Sequence, residues 1–216
     1  MSANSLPKRA RPSPELRIGG LARLSSCDWP GELVATLFCQ GCPWSCLYCH
    51  NPHLIPPKGA AEIAWPDVLS FLDRRRGLLD GVVFSGGEPT LQAALPQAMR
   101  AVRALGFRIG LHTAGPYPAR LSAVLPLVDW VGFDVKAAFD DYSRITRIAG
   151  SGLHARDSLL LVLESGVACD FRTTVHEALL DRFDLARLEF ELAALGVSGH
   201  RIQPFRAAGC TNALLL

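Results

Sequence analysis

The chain is short of charge. Asp, Glu, Lys and Arg make up 19% of its 216 residues and nearly cancel, leaving a formal net charge of +2. Composition therefore gives no electrostatic footprint for nucleic acid or for an acidic partner. With 49% hydrophobic residues, intrinsic disorder is excluded and a substantial core is expected. No apolar run reaches about 18 residues, so no membrane-spanning helix is expected. The N-terminal stretch lacks the apolar segment of a secretory signal. Met1 to Arg17 instead carries Lys8, Arg9, Arg11 and Arg17 among Pro7, Pro12 and Pro14 and is expected to be a disordered basic tail, with one folded domain over 18–216. An even set of cysteines, usual in a disulfide framework, is also missing. There are seven, and their clustering points to a reducing, cytoplasmic setting.

What the chain does have is a cysteine-rich stretch, Cys39 to Asn51, holding four of the seven cysteines. Cys42, Cys46 and Cys49 are spaced C-x3-C-x2-C, with the aromatic Tyr48 before the last. Thiolates this close in sequence do not bridge one another without strain, but they can serve one soft metal centre. Two centres fit. Zinc would want a fourth ligand, which Cys39 or His50 could supply. An iron–sulfur cluster would also be held by thiolates, and a cubane on three cysteines leaves one iron open.

Around this stretch a strand–helix repeat sets in. Ile18 to Gly31 reads as a loop, with Gly19, Gly20, Pro30 and Gly31. Strands are predicted over 33–38, 81–85, 108–113, 130–135, 169–175 and 201–205, the first two as short, buried apolar runs. Helices are predicted over 66–76, 91–105, 118–125, 153–164 and 183–195. Their apolar residues recur at 3/4 spacing, and prolines or glycines mark their ends. Alternation of this kind implies right-handed crossovers and a parallel sheet. Six units are too few for a closed eight-fold barrel, so the expectation is an α/β fold with a partial (β/α)6 barrel in a single domain. A flat doubly wound sheet is the alternative.

Several residues sit where these strands end. Ser85-Gly86-Gly87-Glu88-Pro89 follows the second strand. Paired glycines there let backbone approach a ligand, and Glu88 is expected to offer it a carboxylate. Asp134 and Lys136 are two apart on the fourth strand and so share a face. Buried together, they need each other or a zwitterionic ligand. Lys136 suits a carboxylate, and Asp134 an ammonium or a ribose hydroxyl. Arg172 and Thr174 have the same geometry on the fifth strand. Among the histidines, His50 is expected to support the cysteine loop by hydrogen bonding, and His112 is the one placed to face a cavity. Cys27, Cys169 and Cys210 read as isolated thiols.

The cysteine motif followed by Gly86-Gly87-Glu88-Pro89 resembles the radical S-adenosylmethionine (SAM) superfamily. The nearest resemblance is to its glycyl-radical-activase group, and within it to activators of anaerobic ribonucleoside-triphosphate reductase. Ser26-Cys-Asp-Trp-Pro-Gly-Glu-Leu33, Asp134-Val-Lys136, Phe171-Arg-Thr-Thr-Val175 and Gln203-Pro-Phe205 add to it. The resemblance implies a 4Fe–4S cluster on Cys42, Cys46 and Cys49, with SAM on the open iron. It places Tyr48 near the adenine, and Gly86, Gly87 and Glu88 at the SAM amino group. It also brings Thr113, Asp134, Lys136 and Arg172 to SAM. The usual Thr-Asn-Gly is Thr113-Ala114-Gly115 here, so an asparagine contact is lost. The implied activity is reductive cleavage of SAM and formation of a glycyl radical on a partner, the anaerobic reductase. A small donor such as flavodoxin or ferredoxin would supply the electron. A radical SAM enzyme acting on a small molecule and a non-enzymatic zinc protein are the alternatives.

Overall fold

The computed structural model describes residues 15–60 and 62–215. Seven strands form one sheet in chain order: β1 (Ile18–Ser25), β2 (Val34–Cys39), β3 (Gly81–Gly86), β4 (Arg108–Thr113), β5 (Trp130–Asp134), β6 (Ala168–Val175) and β7 (Arg201–Pro204). β2 to β7 are parallel, and β1 lies antiparallel on β2. β1 and β7 are the two edges, so the barrel is open. The crossovers carry α1 (Trp65–Asp73), α2 (Leu95–Ala104), α3 (Pro118–Val124), α4 (Tyr142–Thr146), α5 (Ser151–Ser165) and α6 (Arg182–Ala194).

Local chemistry explains these bounds. β2, β3, β4 and β5 are buried almost throughout, whereas β6 and the edge strand β7 are more polar and more exposed. α1, α2 and α3 each have proline in the first turn, where its missing N–H costs nothing. α6 starts on a capping box between Asp181 and Asp184. α2 begins at Leu95 and not at Leu91, because Pro96 fits only a first turn. Residues 89–91 form a separate turn on which the Glu88 side chain accepts from the Thr90 amide.

Two expectations change. Ile18–Ser25 was expected as loop and is strand β1. Its glycines hid it: a Cβ on Gly19 would lie 2.4 Å from both Gln40 and Leu54, so close packing, and not a turn, requires glycine there. Of the expected tail, residues 1–14 lie outside the described residues. Leu16 is already buried, and the Arg17 amide donates to Gln92 Oε1 at 2.7 Å, so the fold begins before Ile18.

The main core lies between the helices and the sheet. A second, smaller cluster, Trp29, Val34, Val83 and Trp130, fills the inside near the strands' N-terminal ends. Trp29 comes from the β1–β2 connection and stacks on Trp130 at 5.5 Å and 15°. Gly81 and Gly110 leave it room, since a Cβ on either would come within 3.0 Å of the indole. The connection thus plugs one end of the barrel and leaves the C-terminal end for a site. Trp29→Ala should lower stability by about 3–5 kcal/mol, the usual cost of emptying a buried aromatic site. Leu153→Ala, at a position 67% exposed, should change it by less than about 0.5 kcal/mol. Urea unfolding checks both, and a Trp29→Ala cost equal to that of Leu153→Ala would refute the plug.

Candidate functional site

The cysteine loop leaves the C-terminal end of β2 and is fixed by backbone bonds on three sides. Gly41 N donates to Leu54 O at 2.7 Å and Cys42 N to Ile55 O at 3.1 Å. Ser45 N and Leu47 N donate to Thr146 O and Ile145 O of α4, both at 3.1 Å. On the outer side the C-terminal segment closes down. His50 Nε2 donates to Arg206 O at 2.7 Å, its ring stacks on Phe205, and Asn212 Nδ2 donates to Leu47 O at 3.1 Å. His50 therefore supports the loop, as expected.

The Gly86-Gly87 turn at the end of β3 packs directly on this loop. Gly87 N donates to Cys39 O and Glu88 N to Gly41 O, both at 2.9 Å. A Cβ on Gly87 would sit 2.3 Å from Gly41 O, and one on Gly86 would sit 2.4 Å from Cys39 N. Both glycines are thus demanded first by the close approach of the cysteine loop's own backbone.

Glu88 departs from the expectation that its carboxylate faces a ligand. It is buried, and its oxygens accept from Thr90 N at 3.0 Å, Thr90 Oγ1 at 2.6 Å, Thr113 Oγ1 at 2.8 and 3.0 Å, and Ala114 N at 3.1 Å. Burial raises its pKa against these donors. The Thr113 hydroxyl is spent here too, and it also accepts from Gly115 N at 3.0 Å. Glu88 and Thr113 reach the cavity wall, but as a clasp between β3 and β4.

One cavity collects most of the remaining candidates. Its lining includes Cys42, Cys46, Cys49 and Tyr48 from the loop, Ser85, Gly86 and Gly87 from the end of β3, and His112, Asp134, Lys136 and Thr174 from the ends of the later strands and the turns after them. Asp134 Oδ1 accepts from Arg172 Nε at 2.6 Å, and its other oxygen lies 3.5 Å from Lys136 Nζ. Burial works against the Asp134 carboxylate, but Arg172 and Lys136 outweigh it and hold its pKa below the usual range. Arg172 pairs with Asp134 from behind, and its neighbour Thr174 takes the place on the wall. Lys136 Nζ also sits 5.4 Å from the Tyr48 ring centre, and its backbone amide donates to Tyr142 Oη at 3.0 Å. Ser85 and Thr174 were noted at the strand ends without a role, and Tyr142, which holds the Lys136 backbone, was not noted. The period-2 alternation of β3 would have exposed Ser85, which shares a face with Gly87.

The residues fit a bound cluster and cofactor. The Tyr48 hydroxyl is buried without a hydrogen-bond partner, a costly condition unless something bound beside it supplies one. The three thiols have pKa values raised by burial, Cys42 to about 12, so they stay protonated until a cation is bound. Among the described residues, no three Cys, His, Asp or Glu side chains converge on a point where one metal ion could sit. A cubane asks less, because each thiolate takes a different iron. Cys39 is fully buried in the main core and is not on the cavity wall. Gly87→Ala should leave a folded chain whose loop is displaced. Reconstituted with iron and sulfide, it should retain less than about a tenth of the wild-type iron, given a loss of 1.4 kcal/mol or more in loop fit. Equal iron content would show that the glycine contact does not hold the loop.

The chain was compared with known proteins. Residues 36–186 match the radical SAM superfamily. A Methanocaldococcus jannaschii protein named for glycyl-radical enzyme activation is 28% identical over 176 residues, covering 78% of this chain and 72% of that one. The pyruvate formate-lyase-activating enzyme of Clostridium pasteurianum is 32% identical over 172 residues, covering 76% and 71%. In fold, SuiB of Streptococcus suis bound to S-adenosylmethionine aligns with a TM-score of 0.61 at 12% identity, covering 77% of this chain and 39% of SuiB. Among the described residues no helix is long and apolar enough to cross a membrane. With the cysteine loop, the open parallel barrel and the matched residues in agreement, the chain belongs to the radical SAM superfamily, in the family of glycyl-radical-enzyme activating enzymes, which use a 4Fe–4S cluster and SAM.

Proposed function

We propose that the chain places a glycyl radical on the large subunit of an anaerobic ribonucleotide reductase. A flavodoxin- or ferredoxin-like protein would be its electron donor. The observation that carries this reading is one cavity lined by three thiols and, beside them, by paired charges of both signs. A cluster on the thiols, with the zwitterionic amino acid end of SAM at its open iron and beside the charges, would match this lining.

In this reading Cys42, Cys46 and Cys49 hold the cluster, which with SAM supplies one-electron cleavage to a 5′-deoxyadenosyl radical when both are bound. The chain's own residues orient and shield. Lys136, already cationic beside Asp134, takes the SAM carboxylate. Asp134 takes a hydroxyl or the ammonium, and Arg172 keeps it ionised from behind. Tyr48 lies against the adenine, and its orphaned hydroxyl gains a partner. The backbone of Gly86, Gly87 and Glu88 meets the amino group, with the Glu88 clasp holding that backbone still. No side chain need exchange a proton with substrate, because the cofactor carries the chemistry. Support for the reductase as partner is the sequence phrase from Ser26 to Leu33 and Gln203-Pro-Phe205, which resemble reductase activators.

The test is electron paramagnetic resonance on the anaerobically reconstituted chain with SAM, reductant and a candidate partner. A glycyl doublet with the anaerobic reductase and none with pyruvate formate-lyase is expected. A doublet with pyruvate formate-lyase alone would reassign the partner. SAM cleavage with no doublet on either protein would favour a small-molecule substrate.

A further inference from the structure

A buried relay runs from the plugged end of the barrel to the cavity. His112 Nε2 lies 2.7 Å from Asp28 O, and its Nδ1 lies 3.1 Å from Ser85 Oγ. A backbone carbonyl can only accept, so Nε2 carries the proton. In a neutral imidazole Nδ1 must then accept, and the Ser85 hydroxyl must donate to it. Asp28 is fixed in turn, since its carboxylate accepts from Thr36 Oγ1 at 2.6 Å. It sits beside Trp29, whose stack on Trp130 seats the β1–β2 connection, while His112 meets Trp130 edge-on at 5.4 Å. Gly132 gives the imidazole its room, as a Cβ there would lie 2.7 Å from the ring.

We propose that His112 is a positioning residue that makes Ser85 Oγ a pure hydrogen-bond acceptor toward the cavity, there to receive a donor group of the bound reactants. With its only proton committed to Nδ1, Ser85 can offer nothing but lone pairs to the cavity it lines. The donor is an ammonium or hydroxyl of SAM, or a backbone N–H of the glycine-bearing segment. Burial and then the nearby Arg172 lower the His112 pKa to about 4, with Asp134 and Asp28 working the other way, so the ring is neutral in the working range. This inference rests on the proposed function for the identity of the reactants, while the relay stands on geometry alone.

The test has a spectroscopic part and a binding part. Nitrogen-15 spectra of the full chain labelled at histidine, with no SAM present, should show His112 as the neutral Nε2–H form between pH 6 and 8. An Nδ1–H form, or an imidazolium in that range, would overturn the relay. With the cluster loaded, Ser85→Ala should lose about tenfold in SAM affinity or in KM for the glycyl partner, the worth of one hydrogen bond to a charged or buried donor. Loss in SAM affinity assigns the donor to SAM, and loss in partner KM alone assigns it to the peptide. His112→Leu should show the same loss, and His112→Asn, whose amide oxygen can take the Ser85 proton, should recover most of it. Ser85→Thr, which keeps the hydroxyl, should retain more of that binding than Ser85→Ala. Unchanged SAM affinity and partner KM in Ser85→Ala would overturn the proposal. Failure of the wild-type chain to bind SAM would refute the proposed function, and the tautomer would still decide the relay.

Discussion

A carboxylate taken out of water must be given donors, and Glu88 has four groups donating to it: the Thr90 amide and hydroxyl, the Thr113 hydroxyl and the Ala114 amide. Its own backbone N–H is committed to Gly41 O in the cysteine loop. One residue thus ties the ends of β3 and β4 to each other and to the loop that carries Cys42, Cys46 and Cys49. Leaving such a group without its partners costs several kilocalories per mole. The clasp therefore forms as a whole, and the position of the thiols relative to the strand ends follows from it. Burying a charge here yields a fixed geometry, which a radical reaction needs more than it needs an acid or a base.

Asp134 solves the same problem differently. It is shared between Arg172 behind and Lys136 beside it. The three groups together carry one net positive charge, and Arg172 and Lys136 hold the Asp134 carboxyl below its usual pKa range. A zwitterion entering would meet partners that are already ionised and already oriented. Further down the barrel, the stacked Trp29 and Trp130 and the buried His112 fill the interior, which leaves the cavity at the C-terminal end. Ligands of open α/β sheets gather there for the same topological reason.

Much of this was legible in the sequence. The parallel strands β2 to β5 were, because they are buried almost throughout and their apolar runs are short and bounded, while β6 and the exposed edge strand β7 were legible from the alternation with helices. The cysteine spacing was legible because it is local, and Asp134 and Lys136 do come together, although β5 ends at Asp134 and Lys136 lies just beyond the strand it was expected on. β1 was not, since Gly19 and Gly20 read as turn residues although packing against Gln40 and Phe38 is what requires them. Glu88 does line the cavity, but its carboxylate, read as facing a ligand, is tied up within the fold. Its donors lie on the turn after it and on β4, and a contact between separate strands leaves no local pattern. The Asp28–His112–Ser85 relay escaped for the same reason, as it joins residues 84 and 27 positions apart.

Cys39 is where the account is most exposed, because a fourth thiolate on the cluster would close the iron that SAM must reach. Its burial in the core, away from the cavity wall, assigns it to packing. The decisive measurement is the electron paramagnetic resonance spectrum of the anaerobically reconstituted and reduced Cys39→Ala chain, before and after SAM is added. The account predicts a cluster signal that persists without Cys39 and changes when SAM binds. Loss of the cluster in that folded variant, or a signal indifferent to SAM, would contradict it.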